Sequence, residues 1–278
     1  MILDYTVPSP AYRALLTVHL LAHTAGRQVD LLVPAMLANL HIRLRGHSTY
    51  VLPGGHRVPA PPVSLLGATN GAYRIELSAD AVVAGTGFLP LGWLTLIRCP
   101  AARLSDRVID GADVWGAHRC ELARERLCEA PFGGGHGAVI EELLSCPERA
   151  LPHLDHLQAI DRWLETGQGL SVEALREDLG ISRRQLQRVT LDLYGAAPKV
   201  LAMKYRALSA AARLATGEGV TIRDALTLYA DQSHLTRDFR RFIGVTPGVF
   251  VQGQAAETAA TMTGRRRAGA IRPLALWS

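Results

Sequence analysis

Apolar residues follow two different periods along the chain. Between residues 12 and 77 they alternate with polar residues, most clearly at 40–45 and 73–77. Glycine, proline and asparagine separate these runs, at residues 46–47, 53–55, 59–62 and 70–71. A period of two indicates strands with one apolar face, and short strands with frequent turns predict an antiparallel sheet or a small barrel.

Helical spacing replaces this alternation further along the chain. It predicts helices at about 114–128 and 138–144, joined by a glycine-rich segment at 131–137. That segment lacks the Lys-Ser/Thr of a phosphate-binding loop and follows no predicted strand. It is therefore interpreted as a helix connector and not as a phosphate site.

A linker is predicted at residues 146–153. Pro147 and Pro152 lie within this short stretch and interrupt any helix. Apolar residues at 154, 157, 160 and 164 then have helical spacing. The linker therefore divides a β-rich part from a helical part.

The helical part contains an internal repeat of 49 residues. The shift pairs Leu186 with Leu235, Arg188 with Arg237, Leu193 with Phe242, Gly195 with Gly244 and Pro198 with Pro247. Each copy has a capping residue, a short helix, a turn and a second helix. This order predicts one helix-turn-helix unit in each copy.

In the first copy, Ser171 is predicted to cap the first helix, Gly180 to form the turn, and Ser182 to cap a second helix ending near Leu193. At about 100° per residue, this second helix has one apolar face and one polar face. The apolar face consists of Leu186, Val189 and Leu193, and the polar face of Arg184, Gln187 and Arg188.

The second copy repeats this arrangement. Thr221 and Asp224 have the spacing of a capping box, and Asp231 is predicted to cap a helix that ends near Ile243. Its apolar face consists of Leu235, Phe239 and Phe242. Its opposite face is polar and basic, formed by Ser233, Thr236, Arg237, Arg240 and Arg241.

Several of these segments resemble the DNA-binding domain of AraC-type transcriptional regulators. The resemblance rests on residues 179–188, on Gly195 with Pro198-Lys199, and above all on residues 230–247, and it extends over about 154–251. It implies two helix-turn-helix units joined by a long helix at about 198–215.

The chain departs from the family pattern in and before the second unit. It has two fewer residues between the Thr221 cap and the Asp-Gln-Ser of residues 231–233, and Leu228 stands where the family has glycine. Thr190 stands where the family has phenylalanine. These departures predict a tighter or strained turn before Asp231.

A second, looser resemblance lies in the β-rich part. Residues 88–93 and 104–116 resemble the closing part of the cupin-like sensor domains that precede the DNA-binding domain in some such regulators. This resemblance implies a domain that binds a small effector or mediates dimer contacts.

The repeat and the resemblance together predict the DNA contacts. Base contacts are predicted for Arg184, Gln187, Arg188, Gln232, Ser233 and Arg237. Contacts with the DNA backbone are predicted for Ser182, Lys199, Thr236, Arg240 and Arg241. The alternative for all of them is the solvated face of two ordinary helices.

The distribution of charge agrees with this placement. Residues 1–153 contain 13 basic and 13 acidic residues, residues 154–251 contain 13 and 11, and residues 252–278 contain 4 and 1. The basic excess therefore lies in the C-terminal part, where DNA contacts are predicted. Residues 252–278, with a triple-arginine run at 265–267, are predicted to be a disordered basic tail.

Cysteine and histidine positions favour no metal site, cofactor or catalytic centre. The four cysteines form no CxxC pair, and the histidines at 19, 23, 41, 47 and 56 have no carboxylate at a recognisable spacing. Free cysteines suit a reducing cytoplasm. No membrane span is predicted, because the longest uncharged run, residues 81–97, is too short. No signal peptide is predicted, because the N-terminus has no basic region followed by an apolar core.

The sequence thus predicts an α+β protein. Residues 1–145 are an antiparallel sensor domain, 146–153 a linker, 154–251 an all-α DNA-binding domain, and 252–278 a tail. The predicted function is sequence-specific transcription regulation, not catalysis. Expected partners are double-stranded DNA, a small effector, a second copy of the chain and, for an activator, RNA polymerase. The alternatives for the N-terminal domain are a DNA-targeted enzyme and a ligand-independent interaction module.

Overall fold

A computed structural model describes residues 1–129, 134–145, 154–166, 170–216 and 221–252. Its β-rich part has ten described strands, which form two antiparallel sheets ordered β1-β2-β9-β4-β7-β10 and β3-β8-β5-β6. The strands are β1 (Ile2–Thr6), β2 (Leu16–His23), β3 (Val29–Val33), β4 (Asn39–Arg45), β5 (Ser48–Val51), β6 (Arg57–Pro59), β7 (Val63–Leu66), β8 (Tyr73–Leu77), β9 (Val82–Phe88) and β10 (Val108–Asp110).

The alternating runs form strands as predicted, at β4 and β8. On β4 the apolar residues Leu40 and Ile42 are fully buried beneath the helices that cover the six-stranded sheet. The polar residues that alternate with them, His41 and Arg43, face a cavity between the two sheets and do not point into bulk solvent. The period of two therefore correctly predicted a strand, but both faces of β4 lie inside the domain and neither faces solvent.

Three strands, β1, β9 and β10, lie outside the region in which strands were predicted. β9 lies in the middle of the larger sheet, between β2 and β4, and six of its seven residues are buried. A strand covered on both faces shows no alternation of apolar and polar residues, so the periodicity criterion misses it. β1 is an edge strand before the region in which alternation begins.

Short helical segments follow the strands. They are α1 (Pro90–Gly92), a π-helical turn (Trp93–Ile97), a 3-10 turn (Ala101–Arg103), α2 (Ala112–Trp115), α3 (Ala117–Glu129) and α4 (His136–Leu144). The single helix predicted at 114–128 is two helices, because Gly116 has a positive φ of 84° that breaks the helical path. The other predicted helix, at 138–144, is α4. The predicted linker and residues 253–278 of the predicted tail lie outside the described residues.

The helical part has one continuous hydrophobic core. Its described helices are α5 (Leu154–Thr166), α6 (Val172–Asp178), α7 (Arg183–Tyr194), α8 (Pro198–Thr216), α9 (Ile222–Leu226), α10 (Gln232–Phe242) and α11 (Pro247–Val251). The long helix α8 packs against both α7 and α10. The two predicted helix-turn-helix units are therefore α6–α7 and α9–α10, joined by α8 as the sequence predicted.

The 49-residue sequence repeat has a counterpart in the backbone, because both second helices begin and end in the same way. Ser182 caps α7 through a capping box with Gln185, and Asp231, 49 residues later, accepts a hydrogen bond from His234 N at the start of α10. Gly195 and Gly244 follow the ends of these helices with φ of 72° and 91°. Glycine is favoured there because other residues rarely adopt positive φ.

Polar groups inside the helical core fix the two second helices on their neighbours. Tyr194 of α7 donates a 2.6 Å hydrogen bond to Asp161 of α5. Asp238 of α10 is buried and forms a 3.0 Å ion pair with Arg206 of α8. Because a broken buried pair leaves an uncompensated polar group, these contacts hold each helix in one orientation.

Two buried histidines attach α4 to the first strands. His19 Nε2 of β2 lies 3.0 Å from Glu141 Oε1, and His136 Nε2 lies 3.2 Å from Thr6 Oγ1. Burial lowers the pKa of both imidazoles, although Glu141 partly offsets this for His19. The folded protein therefore favours neutral imidazoles at both positions.

Acidification is expected to destabilise the protein through these two histidines. Their folded pKa values lie below the ordinary 6.5, so the unfolded chain binds more protons as pH falls below that value. Each group can lower the free energy of unfolding by at most about 1.4 kcal/mol per pH unit. Urea denaturation between pH 5 and 8 measures the effect. His136→Gln should reduce the slope, and an unchanged slope would contradict the assignment.

Removal of the first cap is expected to destabilise α7. Ser182→Ala deletes the oxygen that accepts from Gln185 N and should cost about 1 kcal/mol of unfolding free energy. Ser182→Asn is the matched control, because asparagine caps a helix about as well as serine. Urea denaturation measures both variants, and equal losses in the two would show that the cap contributes nothing specific.

Candidate nucleic-acid interface

The outer face of α7 is exposed and polar. Leu186 and Val189 are buried in the core, whereas Arg184, Gln187 and Arg188 are exposed. These three side chains line one shallow concave surface together with Ser182. The helical spacing in the sequence thus identified the correct inner and outer faces.

The outer face of α10 is built in the same way. Leu235, Phe239 and Phe242 are completely buried. A second shallow concave surface lies opposite them, lined by Gln232, Ser233, Thr236, Arg237 and Arg240. Each predicted base-contact residue is therefore exposed on the outer face of its helix.

The arginines of these two surfaces have no acidic partner. Among the described residues, Arg184, Arg188, Arg237 and Arg240 form no salt bridge. An unpaired guanidinium can donate two parallel hydrogen bonds to a guanine edge or to a phosphate. The two surfaces thus have the chemistry that contact with DNA requires.

The predicted backbone-contact residues have different surroundings. Lys199 is exposed at the start of α8, and Arg240 is exposed on α10. Thr236 is half-buried, and the Ser182 hydroxyl already accepts a hydrogen bond from Gln185 N. Lys199 and Arg240 therefore each offer an exposed positive charge that forms no salt bridge among the described residues.

Arg241 lies at the domain interface. Its Nε donates to Asn70 O at 3.3 Å, and its backbone oxygen accepts from Ala72 N at 2.8 Å. Its guanidinium also stacks over the Phe242 ring. This exposed side chain thus contacts the β-rich domain through one hydrogen bond, which the helical face of the sequence did not indicate, and its predicted contact with the DNA backbone stays a prediction.

The shorter second unit is accommodated without a strained backbone. Its turn contains no residue with positive φ between Ile222 and Asp231, whereas the first unit uses Gly180 at φ 61°. Leu228, where the family has glycine, packs against the helical core. Of the two expectations, a tighter or a strained turn, the structure shows no left-handed backbone strain, because the turn follows a path that needs no glycine. Thr190 is fully buried, and its hydroxyl donates to Gln187 O.

The two domains are joined by contacts that the sequence did not reveal. Lys204 of α8 is 2% exposed, and its ammonium donates to Met36 O at 2.8 Å and to Thr69 O at 2.9 Å. Gly195 O, at the end of α7, accepts from Ser105 Oγ at 2.8 Å and from Asn70 Nδ2 at 3.2 Å. No local pattern marks such long-range pairs in one sequence.

The cavity between the sheets is a second candidate site. The volume open to the centres of water molecules is ≈ 90 Å³. A single water needs about 10–15 Å³ of such volume, so the cavity is large enough for a small organic molecule. Most of its lining is apolar, and a polar group lies on one side, formed by His41, Arg43, Ser48, Tyr50 and Ser64.

Hydrogen bonds organise this polar group. His41 Nδ1 lies 2.8 Å from the Tyr50 hydroxyl, and Arg43 Nη1 donates to Gly46 O at 2.8 Å. Arg43 Nε is buried without a hydrogen-bond partner among the described residues. Burial raises the pKa of Tyr50, so its hydroxyl stays protonated. Arg43 Nε is therefore a donor that an acceptor atom in the cavity could satisfy.

The remaining histidines and cysteines of the described residues form no metal-binding group. His19 lies on a strand and pairs with Glu141. No three histidine, cysteine or acidic side chains come together as a metal-binding group in the ranges that the structure describes. The described helices also include none with the length and apolar character of a membrane span.

Known proteins provide three comparisons. A family model described as a helix-turn-helix domain matches residues 175–253. No curated protein sequence matches the chain. Among solved structures, apo ToxT from Vibrio cholerae is 13% identical at a TM-score of 0.48, covering 84% of this chain and 97% of that one.

Two other solved structures are similar to the chain at comparable identity. ToxT from Vibrio cholerae bound to an unsaturated fatty acid is 14% identical at a TM-score of 0.44, covering 84% of this chain and 94% of that one. The AraC-like transcriptional activator CuxR is 15% identical at a TM-score of 0.27, covering 82% and 91%. At these scores the likeness carries no conclusion about a ligand or a mechanism.

The family match covers both units that the repeat defines. It begins in α6 and ends just after α11, and it includes the exposed faces of α7 and α10. Residues 175–253 therefore form a helix-turn-helix domain of the AraC type.

Proposed function

We propose that the protein is a sequence-specific transcription regulator that reads two DNA boxes with α7 and α10. The observation that carries this proposal is the repeat of unpaired arginines on the exposed faces of two capped helices inside an AraC-type domain. DNA as partner also supports the predicted location in the cytoplasm.

Each helix would enter the major groove with its N-terminal half. Arg188 and Arg237 occupy equivalent positions of the repeat, and arginine recognises guanine by a bidentate hydrogen bond. Gln187 and Gln232 offer amide groups that can pair with adenine. Arg240 and Lys199 would contact phosphates, which adds affinity without sequence preference.

We further propose that the β-rich domain binds a small effector in its cavity. The lining suits a mainly apolar molecule that has one hydrogen-bond acceptor. The acceptor would meet the buried Arg43 Nε, while apolar residues such as Leu20 and Ile75 surround the rest. A second copy of the chain and RNA polymerase stay predicted partners.

At Cys99 and Cys120, burial opposes the alternative of a DNA-targeted enzyme with a reactive cysteine. Burial raises the pKa of the Cys99 and Cys120 thiols, which lowers the fraction of nucleophilic thiolate. The cavity argues against the alternative of a ligand-independent interaction module, because such a module has no use for an internal space of this kind. A binding assay with small molecules distinguishes that module from a sensor.

Selection of bound sequences from random DNA tests the proposal most directly. The purified full-length chain should enrich DNA with two short boxes whose centres lie about 10 base pairs, or ~34 Å, apart. Recovery of unrelated sequences, with affinity that depends only on salt, would overturn sequence-specific recognition.

Substitution of the equivalent arginines should relax one box each. Arg188→Ala is expected to remove about 1–3 kcal/mol of discrimination in the first box, and Arg237→Ala the same in the second. Repeating the selection with each variant measures this loss position by position. Equal loss of affinity for selected and random DNA would show that neither arginine reads bases.

Arg240→Ala is the matched phosphate-contact control. It should weaken binding to every sequence alike and lower the slope of log affinity against log salt by about one unit. Titrations at several salt concentrations measure that slope. An unchanged slope would place Arg240 outside the DNA contact.

A cavity effector should raise the melting temperature of the wild-type protein. A molecule bound only to the folded state adds about 2.7 kcal/mol of stability at a concentration 100-fold above its Kd. A thermal-shift screen of apolar organic molecules, with and without a carboxylate or carbonyl acceptor, measures this. Ala22→Phe, which fills the cavity, is the control that should abolish the shift.

A further inference from the structure

We infer that occupancy of the cavity changes DNA recognition by the second helix, α10, and leaves the first helix, α7, unaffected. This inference rests on the proposed function and specifies how the cavity would regulate it. The observation behind it is a segment, residues 32–36, that is cavity wall on one side and α10 contact on the other. We call it the shared segment.

Neighbouring residues of the shared segment face opposite sides. Val33, Pro34 and Met36 line the cavity. Ala35 lies between them, is completely buried, and packs against Ala207 of α8 and Phe242 of α10. Only the thickness of one chain therefore separates the cavity from the end of the second recognition helix.

Backbone hydrogen bonds tie this wall to α10. Ala35 N donates to Phe242 O at 2.7 Å, and Ala72 N donates to Arg241 O at 2.8 Å. Tyr73, next to Ala72, lines the cavity and contacts Met36 Sδ through its hydroxyl at 2.9 Å. These bonds satisfy carbonyl groups at the C-terminal end of α10, so a shift of the wall must either move the helix or break them.

The fit around Gly244 leaves little space for independent movement. A Cβ atom at this position would lie 2.6 Å from Leu32 Cδ1 and 3.1 Å from Ala72 Cβ. Leu32 also lines the cavity. Close packing of this kind transmits a displacement, because protein interiors contain few voids that could absorb it.

The first recognition helix is held by other residues. Gly195 O, at the end of α7, accepts from Ser105 Oγ and Asn70 Nδ2, and the 3-10 turn at Ala101–Arg103 packs along the helix. None of these residues lines the cavity. The route from the cavity to α10 runs through Ala35 alone. The route to α7 is longer, because it runs from Met36 through Thr69 to Asn70, which does not line the cavity.

Cavity filling tests the inference without a known effector. Ala22 lies on β2, in the cavity wall, and β2 pairs with β1 and β9 in the larger sheet. Ala22→Phe should place a ring in the cavity without changing a residue that contacts the helical domain. Affinity is measured on three DNAs: the selected operator, the operator with the first box scrambled, and the operator with the second box scrambled.

The expected result is a change confined to the second box. Ala22→Phe should change affinity by about fivefold or more on the two DNAs that keep the second box, which lies within the usual range of coupling between sites. On DNA that keeps only the first box the change should stay below about twofold. Ala14→Phe, the same substitution at an exposed turn, should change none of the three.

Three outcomes would overturn the inference: an equal change on both single-box DNAs, a change on the first box alone, or no change on any DNA with a folded variant. Circular dichroism establishes folding, and Val83→Phe on β9 is the substitute if Ala22→Phe does not fold. Failure of the wild-type chain to distinguish boxed from scrambled DNA would instead overturn the proposed function.

Discussion

The buried ammonium of Lys204 is the contact on which the joining of the two domains depends. It reaches from α8 into the β-rich domain and donates to Met36 O and Thr69 O, and no carboxylate of the described residues is hydrogen-bonded to it. Burial lowers its pKa to about 7 from 10.5, with Asp106 offsetting part of the shift. The undocked lysine binds its proton more tightly, so the docked state gains relative stability as pH rises from about 7 to 10.5. An interface that carries this desolvation cost must be supported by the packing around Ala35 and the hydrogen bonds at both helix ends.

The repeat makes the two recognition helices alike in cap, length and inner face, yet the β-rich domain holds them differently. At the end of α7 it supplies side chains, Ser105 and Asn70, to one carbonyl. At the end of α10 it supplies backbone amides from loops that also enclose the cavity. A duplicated unit that contacts an unduplicated domain cannot keep two identical environments. The asymmetry therefore follows from the assembly of the chain and not from the helices themselves.

Local features of the structure were predictable from the sequence, and contacts between distant residues were not. Capping residues, inner faces and the bounds of α7 and α10 depend on spacing within a few residues, so periodicity and cap signals identified them. The long helix α8 was implied by the family resemblance. The strand β9 was not predicted, because both of its faces are buried and its residues do not alternate. Arg241 has the same exposed helical position as a DNA-contacting residue, and only its partner Asn70, 171 residues earlier, shows its place at the interface. The polar residues His41 and Arg43 alternated as a surface strand would, although the second sheet encloses them as a cavity.

The boundary that the sequence indicates between the β-rich and helical parts does not separate them in space, because the two parts are in contact. The prolines at 147 and 152 separate two kinds of periodicity, and the family match begins only at residue 175. Yet the ends of α7 and α10 and the middle of α8 are hydrogen-bonded to the β-rich domain. Removal of that domain would expose Phe242 and Ala207, both completely buried, and leave the carbonyls of Gly195, Arg241 and Phe242 to water. The orientation of the recognition helices is therefore a property of the whole chain, and a molecule that binds the β-rich domain has a physical means of changing it.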